Sequence, residues 1–412
     1  MSNKIFIQIA SYRDPELIPT IKSCIENASN PEHLSFAICW QHSAEDVWDN
    51  LDEYLNDHRF KIISINYSQT KGCCWARNKI QQLYDGEEYT LQLDSHHRFI
   101  KGWDTVLINM YNLLKEKGFS KPLITSYVPS YNPENDPNER VMVPWKIDLK
   151  EITDEKQVLC IPSNIDEKIS EPILAKFYSA HFAFTTGQFV LEVPHDPELY
   201  FHGEEISITV RAYTWGYDLF HPHKSIVWHE YTREGRTKHW DDDAEWWKKN
   251  SESHLRNRKL FEMDGLTKDI DFGMYDFGPK RTLADYERYA GISFKRRRAH
   301  KYTLSNNVPP NPETDGDFED ISISSFKHRI DLSKGTFVDT DYDFWAIIFE
   351  DEMNTSVYRK DLNEHDIHSH LNAPTTMIRL DVEFDTTKPP FKWIVWPHSK
   401  SKGWLEKIEN RL

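Results

Sequence analysis

Cysteine is scarce in this chain, long apolar runs are missing and positive charge is in deficit. Each shortage narrows what the protein is. The 412 residues hold five cysteines, Cys24, Cys39, Cys73, Cys74 and Cys160. Their odd number and their lack of metal-ligand spacing argue against a disulfide framework or a zinc knuckle, and read as free thiols of a reducing compartment. No stretch approaches the ~20 apolar residues of a membrane span. The opening MSNKIFIQIASYRDPE runs almost directly into a strand, without a charged leader or cleavage site, so a cytoplasmic protein with no membrane span is expected. Lysine and arginine number 50 against 66 acidic residues, a formal charge of −16. Such a balance opposes binding to nucleic-acid phosphates, so no nucleic-acid partner is expected, although a small phosphorylated ligand can still be held locally. The one dense basic run, KRRR at 295–298, reads as a solvated face or linker.

What is present is ample core material. Hydrophobic residues make up 39% of the chain, with 14 Trp, 19 Tyr and 22 Phe. The length exceeds one ordinary core and fits two or three domains. Over the first hundred residues strand and helix patterns alternate. KIFIQIASY, LSFAICWQ, RFKIISINYS and YTLQLDS read as strands; residues 15–27, 44–57 and 72–83 carry helical spacing. That alternation predicts an α/β fold with a mostly parallel sheet, whose ligands bind beyond the carboxyl ends of the strands.

The stretch LQLDSHHRF places chemistry at such an end. In extended chain, Asp94 and His96 face the same way while Ser95 turns aside. A carboxylate oxygen and an imidazole nitrogen together suit Mn²⁺ or a similar divalent ion. Asp94 and Ser95 would equally serve to cap the turn after the strand. A second constellation follows at 192–233. Residues 204–215 read as an amphipathic helix capped by Gly216, DLFHP as a returning strand, and SIVWHEY as a strand-like run that carries His229 near its end. SAHFAFTTGQF at 179–189 reads as a buried strand and turn containing His181.

These segments resemble a known family. IFIQIASYRDPEL, KGCCWARNKIQQLYDGEEYTLQLDSHHRF, VPHDPELYFHGEEISITVRAYTWGYDLF and RTLADYERYAGISF look like blocks of the Skp1 hydroxyproline α-N-acetylglucosaminyltransferases and their bacterial relatives. The polypeptide N-acetylgalactosaminyltransferases, with a similar D-x-H, are more distant. The likeness covers roughly residues 3–294. It implies a GT-A, Rossmann-like nucleotide-diphospho-sugar transferase domain and retaining transfer of GlcNAc from UDP-GlcNAc to a protein or glycan hydroxyl. By motif position Asp94 and His96 would ligate Mn²⁺ or Mg²⁺, with His229 as third ligand. Ser11, Tyr12, Arg13, Lys71, Arg77, Asp94, Ser95, His181 and Gly203 would bind the donor, with residues 69–72 completing a uridine pocket. Arg77 would serve the phosphates or brace Asp94, and Trp75 would stack on a ring or fill the core. Glu204 and Glu205 are the catalytic candidates, orienting donor hydroxyls or the acceptor; as plain helix N-terminal charges they would also complement the dipole. Where the N-acetylgalactosaminyltransferases have Trp-Gly-Gly-Glu-Asn, this chain has Phe201, His202, Gly203, Glu204 and Glu205, and His202 is a further polar contact or competing ligand. Two other readings stay open, a polysaccharide transferase using another UDP-hexose and a non-catalytic sugar-nucleotide-binding adaptor.

The expected organisation is a GT-A domain over 1–300, a linker over 301–317 that includes NNVPPNPETDGD, and a small β-rich domain over 318–412. The last carries strand-like ISISSF, DFWAIIFED, TMIRLDVEF and FKWIVWP. Its Phe344, Trp345, Trp393 and Trp396 are either core or a sugar- or partner-binding platform. This domain is also where a homo-oligomer would form.

Overall fold

Alternating burial builds the first unit outward from its first strand. The computed structural model describes residues 3–152, 157–232, 235–312, 318–320, 324–386 and 388–412. Strand β1 (Ile5–Tyr12) sends Ile5, Ile7 and Ile9 into one core cluster and Phe6 into another, so the sheet is packed on both faces. Helix α1 (Leu17–Asn27), β2 (Leu34–His42), β3 (Phe60–Asn66), α2 (Cys73–Gln81) and β4 (Tyr89–Leu93) follow. Then come β5 (His97–Phe99), α3 (Trp103–Glu116), β6 (Pro122–Thr125), β7 (Trp145–Ile152), β8 (Val158–Asn164), β9 (Ile173–Leu174) and β10 (Phe182–Thr186). Helices α4 (Phe189–Glu192) and α5 (Glu204–Thr214), strands β11 (Asp218–His221) and β12 (Val227–His229), and helices α6 (His239–Asp242), α7 (Trp246–Leu260) and α8 (Leu283–Ala290) lead to a short hairpin and α9 (Lys301–Leu304).

The main sheet runs β3-β2-β1-β4-β10-β6-β11-β9. Strands β1, β2, β3 and β4 are parallel, in register from Ile5 opposite Leu34 and Tyr89. Strand β10 is antiparallel to both β4 and β6, so the sheet is mixed. Because Ile9 lies opposite Leu93, the chain leaving β1 and the chain leaving β4 emerge at one edge. Strand β12 lies outside the sheet and pairs antiparallel with β5, bringing His229 opposite His97.

The helix expected over 44–57 does not form; that stretch is turns and a single 3₁₀ turn, with Val47 87% exposed. Polar side chains in and beside it make local bonds instead: Ser43 accepts from the Glu45 backbone N–H and Asn50 from the Asp52 N–H, while Asp49 accepts from the Trp40 indole side chain. Such local bonds offer the backbone an alternative to the helix.

Two compact units divide the chain, Met1–Glu151 with Glu155–Glu319, and Asp320–Leu412 with Ile152–Asp154. The segment read as a linker begins inside the first unit, where α9 forms and the Asn311 N–H donates to the Tyr289 carbonyl at 2.9 Å. Residues 313–317 lie outside the described ones, as do 321–323 of the ISISSF stretch. In the second unit a long ladder pairs Ser324–Ser333 with Met377–Thr386. A second sheet centres on Tyr342–Glu350 between Ser356–Asn363 and Lys392–Ser399. Trp345 and Trp393 join its core. Phe344 and Trp396 project from the opposite face among His398 and Trp404, so the four aromatics singled out by sequence divide evenly. Among the described residues no helix is long and apolar enough to cross a membrane.

Phe184, fully buried in β10 with its ring stacked on Tyr89 at 5.4 Å, reports on this core. Phe184→Ala is expected to destabilise the first unit by about 3–5 kcal/mol, read as a lowered denaturant midpoint with unchanged slope.

Candidate functional site

The shared edge of β1 and β4 delivers Asp14 and Asp94, and the β5–β12 pair delivers His96 and His229. Among the described residues Asp94, His96 and His229 are the only His/Cys/Asp/Glu grouping able to hold a metal ion, with ligand atoms all within 4.8 Å of one another. His96 Nε2 is 2.9 Å from His229 Nε2, and Asp94 Oδ2 is 3.4 Å from His229 Nε2 and 3.6 Å from His96 Nε2. Adjacent donors around an octahedral ion bound at roughly 2.1 Å lie about 3 Å apart, so the set fits a divalent cation. His96 Nδ1 donates to Asp14 Oδ2 at 2.7 Å, which leaves the Nε2 lone pair facing the other two groups. Burial raises the cost of charging Asp14, but His96 and Arg236 hold its carboxyl well below the usual range.

Asp94 is fixed from behind by Arg77, itself 3% exposed, at 2.5 Å from Oδ1. The other guanidinium nitrogen bonds Glu204 Oε1, and His195 Nε2 lies 2.8 Å from the same oxygen. Burial opposes the charge on both carboxyls, yet Arg77 keeps both below their ordinary values. Glu204 is thus an internal counter-ion and not a free catalytic carboxylate facing the cavity alone.

Two cavities meet at this cluster, sharing Cys73, Asp94, Phe201 and His229. The first, about 160 Å³, is bounded by Tyr12, Gln41, Gly72, Ser95, Arg236 and Trp240. The second, about 340 Å³, reaches Tyr127, His181, His202, Gly203, Glu205 and Tyr231. Glu205 accepts from the Tyr127 hydroxyl at 2.6 Å and from the Ala180 N–H at 2.9 Å. Burial, with the Glu204 charge nearby, pushes its carboxyl up to about 7. His181 Nε2 accepts from the Val128 N–H at 3.3 Å, so the neutral ring carries its proton on Nδ1; burial lowers its pKa to about 3.

The other sequence-predicted residues divide. Tyr12 lines the first cavity and donates to Asp242 at 2.7 Å. Ser95 lines it too, donating to Asp14 at 2.7 Å. Ser11 is fully buried, and its carbonyl accepts from Gln41. Arg13, at φ 45°, turns away to Asp46 and Asp242. Lys71, Gln69 and Trp75 line a separate surface groove. Glycine is required at 203: φ is 92°, and a Cβ there would sit 1.5 Å from Asn257 Nδ2. His202 stands outside the grouping able to hold a metal ion.

Sequence reasoning missed Asp14, Tyr127, Tyr231 and Arg236. Arg236 bonds Asp14 at 3.0 Å and pairs with Glu230 at 3.2 Å. Its Nη1 touches both ring nitrogens of His96, whose in-plane lone pairs diverge, so the guanidinium lies over the ring face. The dense YTREGRTKHW run after His229 is the one signal that pointed there.

A family model described as Glycosyltransferase (GlcNAc) matches residues 4–57 and 48–296. Among solved structures the chain is similar to GalNAc-T7, crystallised with UDP, GalNAc and Mn²⁺, at 14% identity and TM-score 0.47, over 62% of this chain and 48% of that one. It is similar to S. aureus TarS at 12% identity and TM-score 0.39, over 99% and 77%. It is also similar to S. aureus TarS 1–349 in complex with UDP-GlcNAc, at 13% identity and TM-score 0.37, over 60% and 64%. The chain spans about half the length of GalNAc-T7. Comparison with curated proteins gives no match.

Gly203→Ala is expected to cost about 1–3 kcal/mol from backbone strain alone, on top of the clash with Asn257, and to lower the thermal midpoint. Glu205 titrates near 4.5 unfolded and about 7 folded, so the folded state binds more protons between those values. Stability then falls as pH rises through that window, and Glu205→Gln is expected to flatten the fall in denaturation midpoints.

Proposed function

Since the chain belongs to the GlcNAc glycosyltransferase family, we propose that it is a retaining, metal-dependent GT-A enzyme that moves GlcNAc from UDP-GlcNAc to an acceptor hydroxyl. The observation that carries this reading is the meeting of two cavities at Asp94, His96 and His229. A donor lying across that junction would set its diphosphate at the triad, its nucleotide toward Tyr12 and Gln41, and its hexosamine toward His181 and Glu205.

A divalent ion held there, Mn²⁺ or Mg²⁺, would supply Lewis-acid stabilisation of the departing nucleotide's charge. The chain's own residues do the rest. Arg236 and Lys238, lining the first cavity, add positive charge that a net-acidic protein otherwise lacks. In the second cavity the His181 Nδ1–H is a donor for sugar oxygens, and the Glu205–Tyr127 pair holds a sugar hydroxyl or the acetamido group. Glu204 is tied to Arg77, and both Glu205 oxygens already accept hydrogen bonds. Neither is poised as a bare nucleophile. We therefore favour same-face displacement, in which the departing phosphate oxygen takes the acceptor's proton and configuration is retained. The acceptor hydroxyl belongs either to a protein, on hydroxyproline, Ser or Thr, or to a glycan. The setting is the cytoplasm, where the five free thiols would stay reduced.

The test is UDP release with Mn²⁺ and a panel of UDP-sugars. UDP-GlcNAc should be turned over fastest, and Asp94→Ala and His229→Ala should each abolish Mn²⁺-dependent turnover with the circular dichroism of the parent. Near-normal UDP-GlcNAc hydrolysis by either variant would overturn the ligand set. A trapped glycosyl-enzyme adduct would overturn the same-face mechanism, and silence across the panel would leave a sugar-nucleotide-binding adaptor.

A further inference from the structure

The second histidine of the Asp94-Ser95-His96-His97 run has no part in the site described so far. His97 is fully buried, and its Nδ1 lies 3.1 Å from the carbonyl oxygen of Asp94. A carbonyl only accepts, so Nδ1 carries the proton and Nε2 is left as a bare acceptor. Among the described residues that Nε2 has no hydrogen-bond partner. His229 presents the complementary problem. To offer its Nε2 lone pair beside Asp94 and His96 it must be protonated on Nδ1, and Nδ1 is likewise buried without a partner among the described residues.

The strand register brings these two orphans together. His229 lies directly opposite His97 in the β5–β12 pair. The Glu230 N–H donates to the His96 carbonyl at 3.1 Å, which makes His97 and His229 a non-hydrogen-bonded pair, the position where facing side chains come closest. Their ring centroids are 5.0 Å apart at an interplanar angle of 66°. A buried donor and a buried acceptor, each costly to leave unmade, thus sit on rings that face each other across the strand pair.

We propose that His97 is a positioning residue for the metal-holding set: its Nε2 accepts the Nδ1–H of His229, fixing the tautomer and orientation that point His229 Nε2 at Asp94 and His96. Through its own Nδ1–H on the Asp94 carbonyl, the same ring braces a second member of the set. His97 so serves both of the segments that build the site, and it does so without lining either cavity. The inference rests on the cation reading of the triad.

The experiment is Mn²⁺ titration of the full chain without nucleotide, followed by calorimetry, on the parent, His97→Phe and His97→Gln. Phenylalanine keeps the buried ring and removes the acceptor; glutamine restores an acceptor near the position of Nε2. His97→Phe should bind Mn²⁺ about 10–100-fold more weakly, the usual effect of losing such an outer partner, and His97→Gln should recover most of the affinity. Nitrogen-15 spectra should show His229 protonated on Nδ1 in the parent and His97→Gln, with that preference lost in His97→Phe. Parent-like affinity in His97→Phe would overturn the proposal, as would equal weakening in both variants, which marks a packing role. If the parent itself binds no Mn²⁺, the cation reading fails, and this inference with it.

Discussion

One buried guanidinium sets the terms for the rest of the site. Asp94 ends a strand near the start of the chain and Glu204 opens a helix far downstream, and both carboxylates are drawn into the interior of a protein whose net charge is −16. Left alone, two such groups would repel and would lose their charges to burial. Arg77, on the first turn and a half of α2, grips both and keeps both ionised. The strand edge, the α5 start and the Asp94 carboxylate are therefore joined by one planar ion with two donor edges, a geometry lysine does not supply.

From that fixed point the site divides by polarity. Toward β1 it is closed by Tyr12, Arg236 and Trp240, cationic and aromatic groups suited to a phosphorylated, ring-bearing portion of a ligand. Toward β10 it is closed by Glu205, Tyr127 and His181, hydrogen-bond donors and acceptors suited to hydroxyls. Histidines dominate the junction, and burial keeps His181 and His229 uncharged. Neutral imidazoles add donor atoms without adding charge, so an acidic chain needs little compensation there beyond Arg77 and Arg236.

What was legible in the sequence was whatever is local. The periodicity of β1, β2 and β4 predicted a sheet whose strand ends carry the site, and the two-residue spacing of Asp94 and His96 placed both on one side of the chain. The family resemblance added His229, which no local rule could have paired with them. What was not legible depends on partners distant in sequence. Arg13 matches a donor-binding motif, yet its left-handed backbone turns it to Asp46 and Asp242. Lys71 sits one residue before a cavity-lining glycine and opens into a different groove. The 44–57 stretch has helical spacing, but its side-chain bonds to neighbouring backbone win locally. Asp14 carried no signal in the sequence; only the fold reveals it as the anchor of His96.

One side of the first cavity is bounded by contacts between regions far apart in the chain. The hydroxyl of Tyr12 and the guanidinium of Arg13 both donate to Asp242, while His239 sits between Thr70 and Tyr200 at 2.9 and 2.6 Å. Each such bond contributes only ~0.5–1.5 kcal/mol net. The strand that founds the sheet and the short helix at 239–242 thus form a clasp of a few weak hooks. Because each hook is weak, this wall of the pocket is held by far less free energy than the buried strands beside it, at a seam that takes no part in the chemistry.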